Sequence, residues 1–480
     1  MFLSSAPVEA EAERAESFWR RPGAVLLISC YELGHQPLSV ASPLAFLMHA
    51  GYRPSAVDLA VQRPDAEKAR RARFVGISVP MHTALRLGVR AAERVREINP
   101  ACHIAFYGLY AHLNADYLLE HVADSVIGGE FESALVAQVQ DLEAGRTGDV
   151  EGVARRDRPA RPVLRRLPFV LPSRTGLPPL TQYAHIERNG RRTLGGHVEA
   201  SRGCLHHCLH CPIPPVYGGR FFVVPKEIVL EDIRRLVQAG ATHITFGDPD
   251  FLNGPGHSLA VVRALHAQFP AVTFDFTAKV EHILERRAYF LELGRLGCAF
   301  MVTAAESMSE TVLANLEKGH TRADIYKALR IVRDAGVAFR PTWVAFTPWT
   351  TLADYCDMLD FVEDERLIDH VDPVQYSIRL LVPPGSALLK SPAMIPYLGR
   401  LIKEDFYYEW AHPDPRMDEL HRVVSATVEQ GAREEEDPGV TFYRVRRLAE
   451  TAAGKEPTAM AAALAPGRVR PPRLTEPWFC

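Results

Sequence analysis

Long apolar runs are missing from this chain of 480 residues: no stretch reaches the length of a membrane span, and residues 1–21, rich in Glu and Ala, hold no signal-peptide core. A membrane-spanning or exported protein is therefore not expected, and the cytoplasm is the predicted compartment. An excess of one charge is missing too. Lys and Arg number 55 against 58 Asp and Glu, a net charge of -3, which removes the electrostatic footprint of a nucleic-acid or anionic-membrane binder. No Gly-x-Gly-x-x-Gly follows the first apolar run, so a dinucleotide site is not expected. Cysteine is scarce, at eight residues, and in a cytosolic chain of this size it reads as metal-binding or catalytic rather than disulfide-forming. What is abundant is ordinary: 47% hydrophobic residues suffice for large cores, and the length suggests about three domains.

Three of the eight cysteines fall within eight residues, in Cys204-Leu-His-His-Cys208-Leu-His-Cys211, preceded by Ala200-Ser201-Arg202-Gly203 and followed by Pro212. The other five lie far apart, so this cluster reads as a metal site. Thiolates are soft anionic donors suited to iron–sulfur clusters, zinc or copper(I), and gaps of three and two residues let three sulfurs converge from a loop. A structural zinc usually has four protein ligands, whereas three cysteines on a [4Fe–4S] cluster leave one iron open. His206, His207 and His210 keep a Cys3His zinc set as the alternative.

The Cys-x3-Cys-x2-Cys spacing resembles the signature of the radical S-adenosylmethionine (radical SAM) superfamily. The resemblance implies a [4Fe–4S] cluster on Cys204, Cys208 and Cys211, with SAM chelated through its amino and carboxylate groups to the open iron and cleaved reductively to a carbon radical. One departure is His210, where the family commonly has an aromatic residue.

Ahead of the cysteines, short apolar runs alternate with helical patterns. The predicted strands are Ala24–Cys30, Ser55–Leu59, Phe74–Val79, His103–Tyr107 and Ser125–Gly128; helices are predicted from Pro43 to a Gly51 stop, over Thr83–Ile98 and near Asp116–His121. This is a doubly wound α/β pattern, whose ligand crevice should be lined by the loops at 31–42, 78–83 and 108–114. Pro43-Leu-Ala-Phe-Leu-x3-Gly, the Val75-Gly76-Ile77-Ser78 strand and Val126-Ile127-Gly128-Gly129-Glu130-Phe131-Glu132 resemble the cobalamin-binding domain placed before many radical SAM cores. The Asp-x-His-x-x-Gly lower-ligand motif is absent, as it generally is in those relatives. An empty or repurposed crevice on the same fold is the alternative. The Arg- and Pro-rich residues 146–190 read as a solvated linker.

After Cys211 the alternation resumes. A helix from Pro225, a strand His243–Phe246, strand Val272–Ala278, helix Ile283–Leu296, strand Phe300–Ala305, helices Ser309–Leu316 and Ala323–Ala335, strand Ala338–Phe346, helix Leu352–Glu363 and strand Val374–Ile378 suggest a partial (β/α)6 barrel, the shape of the radical SAM core. Polar residues gather where its strands should end: Gly247, Asp248 and Asp250, Lys279 and Glu281, Glu306 and Ser307, Arg340 and Thr342. By the resemblance, Asp248 falls where the second-strand motif holds the SAM amino group, with Gly247-Asp248-Pro249 in place of the usual Gly-Gly-Glu and Gly247 and Asp250 as neighbouring cofactor-binding candidates; Glu306 falls at a fourth-strand polar contact, and Arg340 and Thr342 beside the adenosyl part. Helix caps and ion pairs are the plain alternative for each. Tyr397–Trp410 and Met417–Glu429 read as helices, and residues 454–480, dominated by Pro, Arg and Ala, as a tail without a core.

The expected organisation is α/β: a leader (1–22), a doubly wound, Rossmann-like cobalamin-binding-type domain (23–145), a linker (146–190), a radical SAM core (191–395), a small helical C-terminal region (396–453) and a flexible tail (454–480). The resemblance implies a radical SAM enzyme carrying out cobalamin-dependent methylation or rearrangement of a small molecule, fed by an electron donor such as flavodoxin or ferredoxin, with neither membrane nor nucleic acid as partner. The ending Pro471 to Cys480 resembles the run-up to the Cys-Sec-Ala-Glu-Pro or Cys-Cys-Ala-Glu-Pro tail of one group of radical SAM proteins, which would make Cys480 the last residue before a selenocysteine read as a stop; an incidental thiol at a true C-terminus is the plain alternative. That tail suggests a second enzymatic reading, transfer of the 3-amino-3-carboxypropyl part of SAM to arsenic or selenium. A zinc-stabilised binding protein is the reading from another class.

Overall fold

The computed structural model describes residues 17–146, 148–457, 468 and 470–475, and these divide into two compact units. One comprises the described residues up to Tyr31 together with Ser39–Leu177; the other comprises Glu32–Leu38 and the described residues from Pro178 onward. Both are α/β.

The first unit runs β1 (Val25–Ser29), α1 (Leu38–His49), β2 (Ser55–Asp58), α2 (Ala66–Arg71), β3 (Phe74–Ser78), α3 (His82–Ile98), β4 (His103–Tyr107), α4 (Leu109–Leu113), α5 (Ala115–His121), β5 (Ser125–Ile127), α6 (Glu132–Glu143) and β6 (Val153–Ala154). The sheet order is β2-β1-β3-β4-β5-β6, parallel except for β6. Strands covered on both faces need apolar side chains at every position, which is why Val25–Ser29 is a continuous buried run. α1 begins five residues before the predicted Pro43. The proline removes the bond that Ser39 O would receive, and Tyr107 Oη donates to that carbonyl instead, at 3.1 Å.

Two expectations here are corrected. Residues 17–22 are docked rather than a free leader: Arg20 pairs with Glu143 at 3.0 Å and donates to Ala50 O. The segment after 146 is not simply solvated. Val153–Ala154 extends the sheet along β5, and Val163, buried, bridges to Gly129. Its apolar residues had edge backbone to pair with, and burying them outweighs the solvation of the arginines between them.

The second unit contains β7 (His185–Arg188), β8 (Arg191–Val198), β9 (Ser201–Gly203), α7 (Ile213–Tyr217), β10 (Phe221–Val223), α8 (Lys226–Gln238), β11 (His243–Phe246), α9 (Pro255–Gln268), β12 (Thr273–Thr277), α10 (Val280–Glu285), α11 (Phe290–Arg295), β13 (Cys298–Glu306), α12 (Glu310–Asn315), α13 (Arg322–Asp334), β14 (Ala338–Trp343), α14 (Leu352–Asp364), β15 (Leu398–Ile402), β16 (Tyr407–Trp410), α15 (Pro415–Arg433), α16 (Pro438–Ala452) and β17 (Arg473–Leu474). β8, β11, β12, β13 and β14 are parallel neighbours in a partial barrel, with β7 and β17 antiparallel at its edge. Phe246, Phe274, Phe276, Met301, Phe339 and Trp343 form the buried face toward the helices.

The predicted sixth strand, Val374–Ile378, is a 3-10 turn over Pro373–Ser377, and one parallel bridge, Phe346 to Arg379, is what remains of it. Gln375 Oε1 accepts the Trp343 N–H at 2.9 Å, taking the donor that a sixth strand's backbone would pair. Ile283–Leu296 is split into α10, a 3-10 turn and α11. Tyr397–Trp410 is not a helix but the hairpin β15–β16, anchored where Trp410 Nε1 donates to Leu380 O at 2.8 Å. The predicted tail also contributes structure, since Leu474 of β17 packs on Ile186, Ala299 and Phe300, and Arg473 pairs with Glu187. Cys480 lies outside the described residues.

Candidate functional site

The cysteine loop is held at its base by a two-stranded ribbon, β9 with β10, which pairs Gly203 with Phe221 and so closes the ends of the segment carrying all three thiols. Gly203 must be glycine there. Its φ is +76°, and a Cβ would lie 2.4 Å from Arg220 O and 2.7 Å from the Tyr217 ring. Beneath the ribbon, Asp248 at the end of β11 accepts the Ala200 N–H at 2.9 Å through Oδ2 and the Ser201 hydroxyl through Oδ1. Both carboxylate oxygens are thus engaged with the turn leading into the loop. Burial pushes this carboxyl up to about 7 against those two hydrogen bonds.

Cys204 and Cys208 are buried and Cys211 half-buried. Burial raises the Cys204 thiol and pushes Cys211 up to about 12, so both are neutral thiols until a metal takes the proton's place. The three sulfurs do not all lie within 4.8 Å of one another, whereas a single zinc at the usual bond length would bring them to about 3.8 Å; among the described residues the one trio of His, Cys, Asp or Glu donors that close is His206, Asp250 and His282. Asn253 lines the loop: its Oδ1 accepts the Leu205 N–H and lies 4.0 Å from Cys204 Sγ, while its Nδ2 is buried without a protein partner. Three soft donors that do not converge on one point fit a polynuclear iron–sulfur group better than a Cys3His zinc.

The histidines of the loop are engaged elsewhere. His210 Nε2 is 3.1 Å from Glu306 Oε1, and the Lys318 ammonium donates to the same oxygen at 3.1 Å. All three are largely buried, and Glu306 adopts a positive φ of 63°. Burial alone would raise the Glu306 carboxyl, but Lys318 and His210 hold it well below its ordinary value. On the other side of the loop, Asp250 Oδ2 accepts the Lys279 backbone N–H at 3.1 Å and faces His282 Nδ1 at 2.9 Å; His206 Nε2 stands 3.7 Å away. The Lys279 ammonium is 3.2 Å from His206 Nδ1 and 3.0 Å from Glu281. A cation already sits at this trio, which makes it a salt-bridged hub tying the cysteine loop to β11 and β12, not a second metal site.

Facing the interior of the partial barrel are His197, His243, Thr245, Asp275, Phe300, Arg340 and Thr342, by strand register. His243 Nε2 is 2.9 Å from Asp275 Oδ1, which also accepts Thr245 Oγ1. The Glu32–Leu38 segment belongs to this unit: the His35 ring stacks on His197 at 4.5 Å, and burial lowers His35 to about 4, leaving it neutral. Arg340 pairs with Asp372 at 2.8 Å and Thr342 donates to Thr303 O at 3.4 Å. Among the described residues no hydrogen bond or ion pair joins either to the cysteine loop, whereas Glu306 and Asp250 each reach it directly. Gly247 has its own reason, because a Cβ would lie 2.2 Å from His197 Nε2.

Sequence reasoning missed Lys318, Asn253, His282, His197 and His35, since nothing in their local pattern marks what they touch.

Residues 198–349 match the model of the radical SAM superfamily. The chain is 26% identical over 208 residues to the ribosomal protein uS12 methylthiotransferase RimO of Porphyromonas gingivalis, covering 38% of this chain and 45% of that protein. It spans about half the length, or less, of the curated relatives it matches. In fold it resembles OxsB, a cobalamin-dependent S-adenosylmethionine radical enzyme, with a TM-score of 0.66 over 89% of this chain and 72% of that one at 14% identity. It also resembles the radical S-adenosylmethionine methyltransferase TsrM of Kitasatospora setae, solved with cobalamin and a [4Fe–4S] cluster, with a TM-score of 0.58 over 72% and 73% at 17% identity. Among the described residues no helix is long and apolar enough to cross a membrane.

Proposed function

Starting from a chain that carries a radical SAM domain over residues 198–349, we propose that it is an enzyme that binds a [4Fe–4S] cluster through Cys204, Cys208 and Cys211, cleaves S-adenosylmethionine, and methylates or rearranges a small molecule with cobalamin held by the first unit. The observation that carries this reading is the set of three thiols on one loop, two buried and one half-buried and not all within 4.8 Å of one another, beside which His210 faces Glu306 and His206 faces Lys279. Cys204, Cys208 and Cys211 would hold the cluster, which would supply the electron for reductive cleavage of SAM.

The chain's own residues do the rest. Asp248 fixes the turn before Cys204 through Ala200 and Ser201. Asn253 holds the start of the loop by accepting the Leu205 N–H through Oδ1. Leu209 N donates to Leu316 O at 3.1 Å, which pins the loop between its second and third cysteines. The polar interior face, with His197 and Thr342 toward the strand ends, would orient a polar small molecule. For cobalamin, support comes from the sheet order of the first unit, whose switch point lies between β1 and β3, where such sheets bind ligands. Gly108, at φ +104°, brings its backbone against Val79 O beside that crevice, where a Cβ would lie only 3.3 Å away.

Anaerobic purification and reconstitution, followed by iron, sulfide and cobalamin quantification and a dithionite-driven SAM assay, tests this. About four irons per chain, lost in Cys204→Ala, with bound cobalamin and 5′-deoxyadenosine as product, is the expected result. Zinc in place of iron with no SAM cleavage would sink the proposal; methylthioadenosine as product would move the reaction to aminocarboxypropyl transfer.

A further inference from the structure

Resting on the cluster assignment above, we infer that Lys318 and Glu306 are a buried counter-charge pair that sets the reduction potential of the group held by Cys208 and Cys211, with His210 as the positioning residue that locks the pair to the third cysteine. The geometry is closed. Glu306 Oε1 receives Lys318 Nζ and faces His210 Nε2, both at 3.1 Å, and His210 immediately precedes Cys211. The Lys318 and Glu306 side chains are 3% and 8% exposed, so neither charge is screened by water.

The backbone is shaped to deliver these groups. Glu306 ends β13 at a positive φ, a conformation an L-residue adopts only when its surroundings demand it, and Val344 N donates back to its carbonyl at 2.9 Å. Lys318 follows α12 in a turn whose N–H returns to Leu313 O, and Gly319 at φ +73° turns the chain away. The same segment receives the cysteine loop, since Leu209 N donates to Leu316 O. The pair is thereby tied to the stretch of loop between Cys208 and Cys211, through His210 on one side and the Leu209–Leu316 bond on the other.

A cation there favours the more negative, reduced state of a thiolate-bound cluster, and the carboxylate opposes it. The two charges should consequently act in opposite directions. A purely structural pair would weaken the site whichever partner was lost.

The test is the midpoint potential and EPR spectrum of the reconstituted full-length protein without SAM, together with iron per chain. The variants are Lys318→Met, Lys318→Arg, Glu306→Gln and the double Glu306→Gln/Lys318→Met. The expected result is a more negative potential in Lys318→Met, a more positive one in Glu306→Gln, and values near the wild type in Lys318→Arg and in the double variant. The double variant leaves no unpaired buried charge and so guards against loss of the fold in either single one. Shifts of one sign in both single variants, or none in any variant that retains iron, overturn the inference and leave the cluster assignment standing. Wild-type protein that takes up no iron overturns the assignment and the inference together.

Discussion

His197 and Gly247 occupy each other's space: His197 Nε2 lies 2.2 Å from where a Cβ on residue 247 would be placed. The imidazole reaches this position because β8 and β11 are parallel neighbours, with Val198 beside Phe246. Gly247→Ala is therefore expected to destabilise by about 1–3 kcal/mol through overpacking. In a His197→Ala background the same substitution should cost little, and denaturant titration of the four proteins of this cycle measures the coupling.

Asp248 makes the metal-free protein pH-sensitive. Its folded pKa, pushed up to about 7 by burial, exceeds the ordinary carboxyl value, so between about pH 4 and 7 the folded state binds the extra proton. Stability contributed by this group is present below that window and lost as pH rises through it. Asp248→Asn, which carries no titrating proton, should gain on the wild type steadily from pH 4 to 7. Parallel urea titrations of the two proteins would show a constant gap if the reasoning is wrong.

The His206–Asp250–His282 trio is expected to hold no ion. With Lys279 Nζ 3.2 Å from His206, a divalent cation would meet a fixed positive charge. In a Cys204→Ala/Cys208→Ala/Cys211→Ala protein, zinc after dialysis should fall well below one per chain. Stoichiometric zinc that disappears in an added His282→Ala would show the opposite.

Arg379 fastens the β15–β16 hairpin. Its guanidinium lies 3.6 Å from the Trp410 ring centroid, pairs with Asp418 at 2.8 Å and donates to Trp410 O at 2.9 Å. Arg379→Ala should cost on the order of 2 kcal/mol, and Arg379→Lys should recover only part, because an ammonium cannot stack and fork at once. Tryptophan fluorescence during chemical unfolding reads both.

Local pattern was enough wherever the physics is local. Short runs such as Val25–Ser29, nearly all apolar, and Phe74–Ser78 declare buried parallel strands, and the helical spacing of Ala84, Leu85, Gly88, Val89, Ala92 and Val95 declares α3. Tyr397–Trp410 folds as a hairpin rather than a helix because of contacts remote in sequence, among them Trp410 Nε1 to Leu380 O, Tyr408 N to Val382 O and the Arg379 guanidinium on the Trp410 ring. The same limit applied to the sixth barrel strand, which is displaced by the side chain of Gln375, 32 residues from the N–H it takes.

By itself the sequence determined the α/β class, the two units' alternating elements and the three thiols on one loop, because strand and helix periods and ligand spacing are properties of neighbouring residues. Only the tertiary structure decided how that loop is held and charged. His210 meets Glu306 across 96 positions, Asp248 meets Ser201 across 47, and Asp250 gathers His206 and His282 from different strand ends. Such pairings depend on which strands lie side by side, and no spacing along the chain encodes that.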